Sequence, residues 1–377
     1  MTAAGSIGLV AVFVVDLLSL IYVSRLGDPK MTAAVGYGSQ VQFFMTALHI
    51  GVAIAVGAAV SRALGAGRRD RARRLSGASL AAGAALTLLA VAPVLVYRRD
   101  MLAMLGARGE TLEIAADFLA ITLPANIFFS FGMTLSAVLR GAGDGRRAMY
   151  VTLFGGVATA ILDPIFIFGL GLGVRGAAIV IVVSRLVFAL VGWWGAARVH
   201  DLVGPPRRAA LTADLAALLA VAGPAILTNL ATPIGQGYAM RVFSGFGEEA
   251  VAAFAMIDRI VPVAFGVLFA LSGSVGPIMG QNLGARLYAR VRRVLVDCLM
   301  LTTIYVAAAW LALSLASPAI VGLFGAQGET ARIVTFFNTW GVATWFFLGG
   351  LFVANAAFNN LGYALLSTAF NWGRATL

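Results

Sequence analysis

The chain has little of what most enzyme and metal chemistry requires. Cys298 is the only cysteine in 377 residues, so no internal disulfide forms. His49 and His200 are the only histidines, and with one cysteine they cannot build a typical zinc site. The phosphate-binding pattern G-x-x-x-x-G-K-[ST] is absent, which excludes direct drive by ATP. G-x-S-x-G, H-E-x-x-H and paired C-x-x-C are absent as well, and no nucleophile-and-base arrangement supports an enzyme. Charge is scarce too: 11 % of residues are charged, against about 25 % in a soluble domain.

Apolar residues take that place. They make up 60 % of the chain, and the mean hydropathy is +0.93, as expected of an integral membrane protein. The net charge of +11 at first suggests nucleic acid. Its arginines, however, collect in short connections between apolar segments, which is a topology signal and not a binding stripe. Apolar stretches near the spanning length of about 20 residues begin with Gly5–Tyr22 and a second ending near Val60. Further spans are predicted over Leu75–Val96, Leu112–Leu139, Ala148–Leu170 and a sixth ending near Arg198. Ala213–Phe243, Ala250–Met279, Val294–Leu315 and Ile333–Phe358 follow. The first is not a signal peptide, because no base precedes it and Asp16 interrupts it.

The arginine-rich stretch Ser61–Leu75, SRALGAGRRDRARRL, returns as GQNLGARLYARVRRV at Gly280–Val294. Gly65 and Gly284 stand 219 residues apart, and the same offset superposes Gly109-Glu110-Thr111 on Gly328-Glu329-Thr330. One six-span unit is used twice, in parallel because six is even. The expected fold is all-α and polytopic. Residues 1–200 form a first lobe, 201–212 a cytoplasmic linker and 213–377 a second lobe. The counterpart of residues 159–219 would fall beyond Leu377, so the second repeat is expected to be incomplete: ten spans and the start of an eleventh from about Ala364. Arginine follows the even-numbered spans, which places those exits and the N-terminus in the cytoplasm.

Asp16 is the sharpest chemical signal. A carboxylate inside an apolar span must be protonated, paired or facing water. It suits proton exchange; the alternative is a carboxylate near the span's end that is hydrogen-bonded to a neighbouring helix. Asp163 precedes Pro164, which frees a carbonyl nearby, so it either acts with Asp16 or ends the regular helix at a kink. Thr159 is one turn earlier on the same face, although a threonine in a span more often bonds its own helix. Asp258 and Arg259 are adjacent and need separate partners. Arg259 either binds an anionic group or joins a structural ion pair. Gln236 is a polar position of the second half, of a kind that more often glues helices together. His49 is expected to be satisfied by a backbone carbonyl, and Arg259 and Arg241 are the bases the spans offer.

Several stretches together resemble the multidrug and toxic compound extrusion (MATE) family. They are VVDLLSLIYVSRLG, VSRALGAGRRDRARR, LRGAGDGRRAM, ILDPIFIFGLGLGVRGAA, GEEAVAAFAMIDRI, GQNLGAR and NNLG. The resemblance implies two six-helix lobes in a V around a central cavity, and a monomeric antiporter in the bacterial inner membrane. The exported compounds would be cationic or hydrophobic amphipaths, exchanged for protons or sodium ions, with no cofactor and no nucleic-acid partner. Asp16 matches the family's first-span carboxylate, which serves coupling ion and substrate, and Asp163 the fifth-span aspartate bonded into the same site. Thr159 departs from the asparagine common there. The glutamate of the sodium-coupled branch is missing, with Gln236 the nearest polar residue. That favours protons and the DNA-damage-inducible-protein branch, with Thr159, Gln236, Asp258 and Arg259 as secondary cavity residues. A lipid-linked oligosaccharide or peptidoglycan-precursor flippase of the same superfamily is the alternative.

Overall fold

The computed structural model describes residues 15, 18, 19, 21–23, 25–206 and 208–376. The described residues are helical almost throughout. In the first half α1 is Pro29–Gly65, α2 Arg69–Val96, α3 Arg98–Met104, α4 Gly109–Thr122, α5 Asn126–Gly141, α6 Gly145–Pro164 and α7 Gly173–Trp193. In the second, α8 is Arg208–Ser244, α9 Glu248–Gly284, α10 Tyr288–Leu323, α11 Gly328–Thr339, α12 Trp345–Leu361 and α13 Ala364–Thr376. Among the described residues eight helices are long and apolar enough to cross a membrane, or nine counting the bent pair α4–α5.

The 219-residue offset holds at the level of helix ends. α1 maps onto α9 residue for residue, α4 and α11 start at matching positions, and so do α5 and α12. Even the turns repeat: Gly106, Gly109 and Gly143 have positive φ, as do Gly325, Gly328 and Gly362. The fourth span is not continuous as expected from the sequence. It bends by 51° between α4 and α5, where Pro124 lacks the N–H that would continue the ladder. The tenth breaks at the same place, through a short 3-10 turn at Gly341–Thr344.

Local chemistry sets the ends. Asp28 accepts from the Lys30 N–H at 2.8 Å and Pro29 opens α1. The arginine-rich loop expected from the sequence is mostly helix: Arg62 lies in the last turn of α1, and Arg69, Arg71, Arg73 and Arg74 lie in the first turns of α2. At the next exit on this end Asp144 caps α6 by accepting from the Arg147 N–H. It also accepts from His200 at 2.8 Å and pairs with the Arg147 guanidinium. Burial alone would raise the Asp144 pKa, but these donors and the Arg147 charge hold it down at about 2. Helix α8 starts at Arg208, within the stretch read as linker. The connection is strapped to α2 by Gly204 N–H to Arg73 O (3.1 Å), Arg73 to Asp201 (3.0 Å) and Arg74 to Asp214 (2.7 Å).

The two halves meet at this arginine-rich end, and they meet as equivalents. A Cβ on Gly65 would overlap the Gln281 carbonyl, and one on Gly284 would overlap the Arg62 carbonyl. Arg62 and Gln281 are counterparts in the repeat. Arg62 donates to Asn360 O (3.4 Å) and Gln281 donates to Gly141 O (2.8 Å), themselves counterparts. This is the self-complementary pairing of an isologous contact, made within one chain. A cluster of Ala55, Val221, Ala222 and Ala364 extends it, and Gly51 packs on Ile226.

Candidate functional site

Helix α6 ends at Pro164 and the chain continues through a π-helical turn, Ile165–Gly169. Pro164 cannot donate to the ladder, and a wider turn carries the backbone past it. Asp163 sits immediately before this break and is 1 % exposed. It accepts the hydroxyl of Ser19, so the first apolar segment reaches it. Asp16 lies outside the described residues. Thr159 is buried one turn from Asp163, yet its hydroxyl donates to Gly155 O at 3.1 Å, within its own helix. Ser19 was not singled out from the sequence, because a lone serine in an apolar span belongs to no pattern.

A second polar assembly lies near mid-span in the first half. Because the helix breaks at Pro124, the Asn126 N–H bonds Leu123 O and leaves Thr122 O free. Arg185, near the middle of the span formed by α7, donates to that carbonyl at 2.9 Å. Its other terminal nitrogen donates to Gln42 Oε1 (3.1 Å), which also accepts from Asn126 Nδ2 (3.1 Å). Gln42 in turn donates to Thr122 Oγ1 at 2.8 Å. Arg185 stacks over Phe129, whose ring meets His49 edge-on. Four helices are thereby joined through one set of shared polar groups at the bend, a buried network in which Asn126 Oδ1 alone is left without a partner among the described residues.

This network corrects the expectation that Arg259 and Arg241 are the bases of the spans. Arg185 lies deeper, and Arg241 is in the last turn of α8. It went unnoticed because a single arginine in SRLVF resembles a span end until the helix is traced. His49 is also different from expectation. Its Nε2 lies 3.2 Å from Thr87 Oγ1, and Thr87 spends its own proton on Gly83 O. Nε2 must therefore be the donor, which leaves Nδ1 as an acceptor with no partner among the described residues.

In the second half Gln236 on α8 donates to Asp258 on α9 at 3.0 Å. The structure thus unites two of the four secondary residues named from the sequence, Thr159 being the one in the first half. The last, Arg259, is exposed and lines a cavity of about 290 Å³ with Ala252, Ala255, Met256 and Phe324. The interlobe contacts described above all lie toward the arginine-rich end. On the same faces of α1 and α9, Phe44 and Val263 are 42 % and 87 % exposed toward the other end. The halves therefore close on each other at one end and part at the other, leaving a cleft.

A duplicated, polytopic helical protein with a cleft between its halves has the build of a membrane transporter. The MatE family model matches residues 6–165 and 224–377, and the chain belongs to that family of transporters. It is similar to the FAD transporter of Shewanella oneidensis, 25 % identical over 350 residues, covering 89 % of this chain and 76 % of that protein. It is equally similar to the multidrug export protein MepA of Staphylococcus aureus, 25 % identical over 333 residues, or 88 % and 73 % of the two chains. Among solved structures the Vibrio cholerae MATE transporter VcmN, in a mutant form, superposes with a TM-score of 0.95 at 23 % identity, covering 100 % of this chain and 86 % of that one.

Proposed function

We propose that this chain is a secondary active exporter, exchanging protons for cationic or hydrophobic amphipathic compounds by alternating access in a bacterial cytoplasmic membrane. The observation that carries the reading is Asp163: a carboxyl group 1 % exposed, at a kinked helix end, held by a hydroxyl from the first segment. Asp16 stands three positions before Ser19 in the chain, which supports a shared site. Protonation of Asp16 from outside neutralises this site, alters the packing around Asp163 and releases substrate. Deprotonation toward the cytoplasm resets it as the lobes 1–200 and 213–377 rock about the repeat axis. Thr159, Gln236, Asp258 and Arg259 take secondary places in the cavity.

The arginine-rich end faces the cytoplasm by the positive-inside rule, as does the N-terminus, so the open cleft faces outward. The similarity to an FAD transporter and a multidrug export protein supports export of small organic molecules. The lack of a glutamate in α8 favours protons over sodium and the DNA-damage-inducible-protein branch. A flippase would need a strongly cationic cavity for pyrophosphate, whereas Arg185 is engaged by Thr122 and Gln42, which leaves a single arginine, Arg259, along the cleft-lining stretches 33–51 and 252–270. The chain is proposed to act as a monomer. Ethidium efflux under separately imposed proton and sodium gradients tests the reading. Proton-driven efflux lost in Asp16→Asn and reduced in Asp163→Asn is expected. Normal efflux in both variants would sink the mechanism, and sodium-driven efflux would move the coupling site elsewhere.

A further inference from the structure

The faces that join the halves at the closed end can be followed into the cleft. On α9, steps of three and four residues back from Gln281 stay on one face. Pro277, Ser274 and Ala270 are buried there, and Val263 and Arg259 are exposed. The same steps back from Arg62 on α1 pass buried Ala58, Ala55 and Gly51, then exposed Phe44 and Gln40. Gln40 and Arg259 are 219 residues apart, so they are counterparts on the two walls. Between residues 33 and 51 of α1 and 252 and 270 of α9, Arg259 is the one charged side chain on either face. The neighbouring Asp258 points about 100° away around the helix and is tethered to Gln236 on α8. Arg259 has no ion-pair partner among the described residues. Beside it the cavity wall is apolar, with Met256 and Phe324.

We infer that Arg259 forms a subsite for an anionic group on the second-half wall of the cleft, so that the compounds carried include amphipathic organic anions. The planar guanidinium offers forked donors that match a carboxylate or a phosphate. Met256 and Phe324 supply an adaptable apolar surface for the body of the molecule. The first half has the neutral Gln40 in the equivalent place, so the subsite belongs to one wall only. This inference rests on the export reading, because it treats the cleft as the substrate path.

The test is binding of carboxyfluorescein and of ethidium to the detergent-purified full chain, read by fluorescence polarisation, with transport of both dyes measured in proteoliposomes. In Arg259→Gln the ratio of carboxyfluorescein to ethidium affinity should fall about tenfold, the scale of one lost charge-assisted hydrogen bond. Arg259→Glu should lower it further, and Arg259→Lys should keep part of it. An unchanged ratio in Arg259→Gln overturns the subsite. Anionic phospholipid that displaces carboxyfluorescein from wild-type protein in nanodiscs also overturns it, since the occupant is then a lipid headgroup. If the ratio falls as expected but no dye moves under any gradient, the subsite stands and the export reading fails.

Discussion

Compared position by position, the two halves share a scaffold and differ in what fills it. The first half places Gln42, His49, Thr87 and Asn126 around its broken helix; the second places Val261, Leu268, Val306 and Trp345 at the same four positions. In the first, the carbonyl freed at the break is taken by Arg185. In the second, Trp310 Nε1 donates to Thr339 O at 2.6 Å, and Trp345 stacks on Phe265 with centroids 4.0 Å apart. The break itself is therefore a property of the repeat, since it survives two unrelated fillings. What each half must do is satisfy the orphaned carbonyl and close the gap, and either a hydrogen-bonded network or a pair of rings does both. The polar filling lies in the same half as Asp163, where a titratable group needs fixed neighbours.

The contact between the halves offers the strongest way to break this comparison. Gly65→Val and Gly284→Val each force a side chain into the other half's backbone. Overpacking of this kind costs about 1–3 kcal/mol, and here the cost falls on the closed end alone. In a Cys298→Ser background carrying Ala55→Cys, a buried interlobe position, labelling by a water-soluble maleimide should rise on the order of tenfold or more in both variants. A response in only one variant would mean that the contact is not the two-fold pairing described here.

A smaller effect separates the two fillings. Trp345→Ala removes a large buried ring and should cost about 3–5 kcal/mol. Gln42→Leu leaves hydrogen-bond partners unmatched and should cost about 1–3 kcal/mol. Thermal unfolding in detergent should show the larger drop for Trp345→Ala; the reverse order would mean that the polar network, not ring packing, dominates the stability of the pair. The smallest effect is at a turn. Gly67 and Arg286 are counterparts, with φ of 71° and 59°. That region costs a residue with a Cβ about 1–2 kcal/mol, partly offset because glycine loses more freedom on folding. Arg286→Gly should raise Tm slightly, and Gly67→Arg should lower it. A lower Tm in Arg286→Gly would show that the arginine side chain stabilises more than the turn strains.

Much of this was legible in the sequence for a physical reason: lipid allows only helices whose backbone is satisfied internally, so hydropathy and arginine placement delimit the spans. The 219-residue offset, the polytopic helical class and Asp163 beside Pro164 all came from such local patterns. The sequence also named Gln236 and Asp258, but not that they bond each other. Ser19, Arg185 and the changed partner of His49 were out of reach, because each depends on which helix face meets which neighbour, and an apolar helix presents similar composition all round. The pairing of Gly65 with Gln281 and Gly284 with Arg62 belongs to the same kind. Glycines 219 residues apart are visible in the chain. That each lies under the other half's carbonyl was decided by how two long helices cross, and close packing between distant segments is set only once the whole fold is assembled.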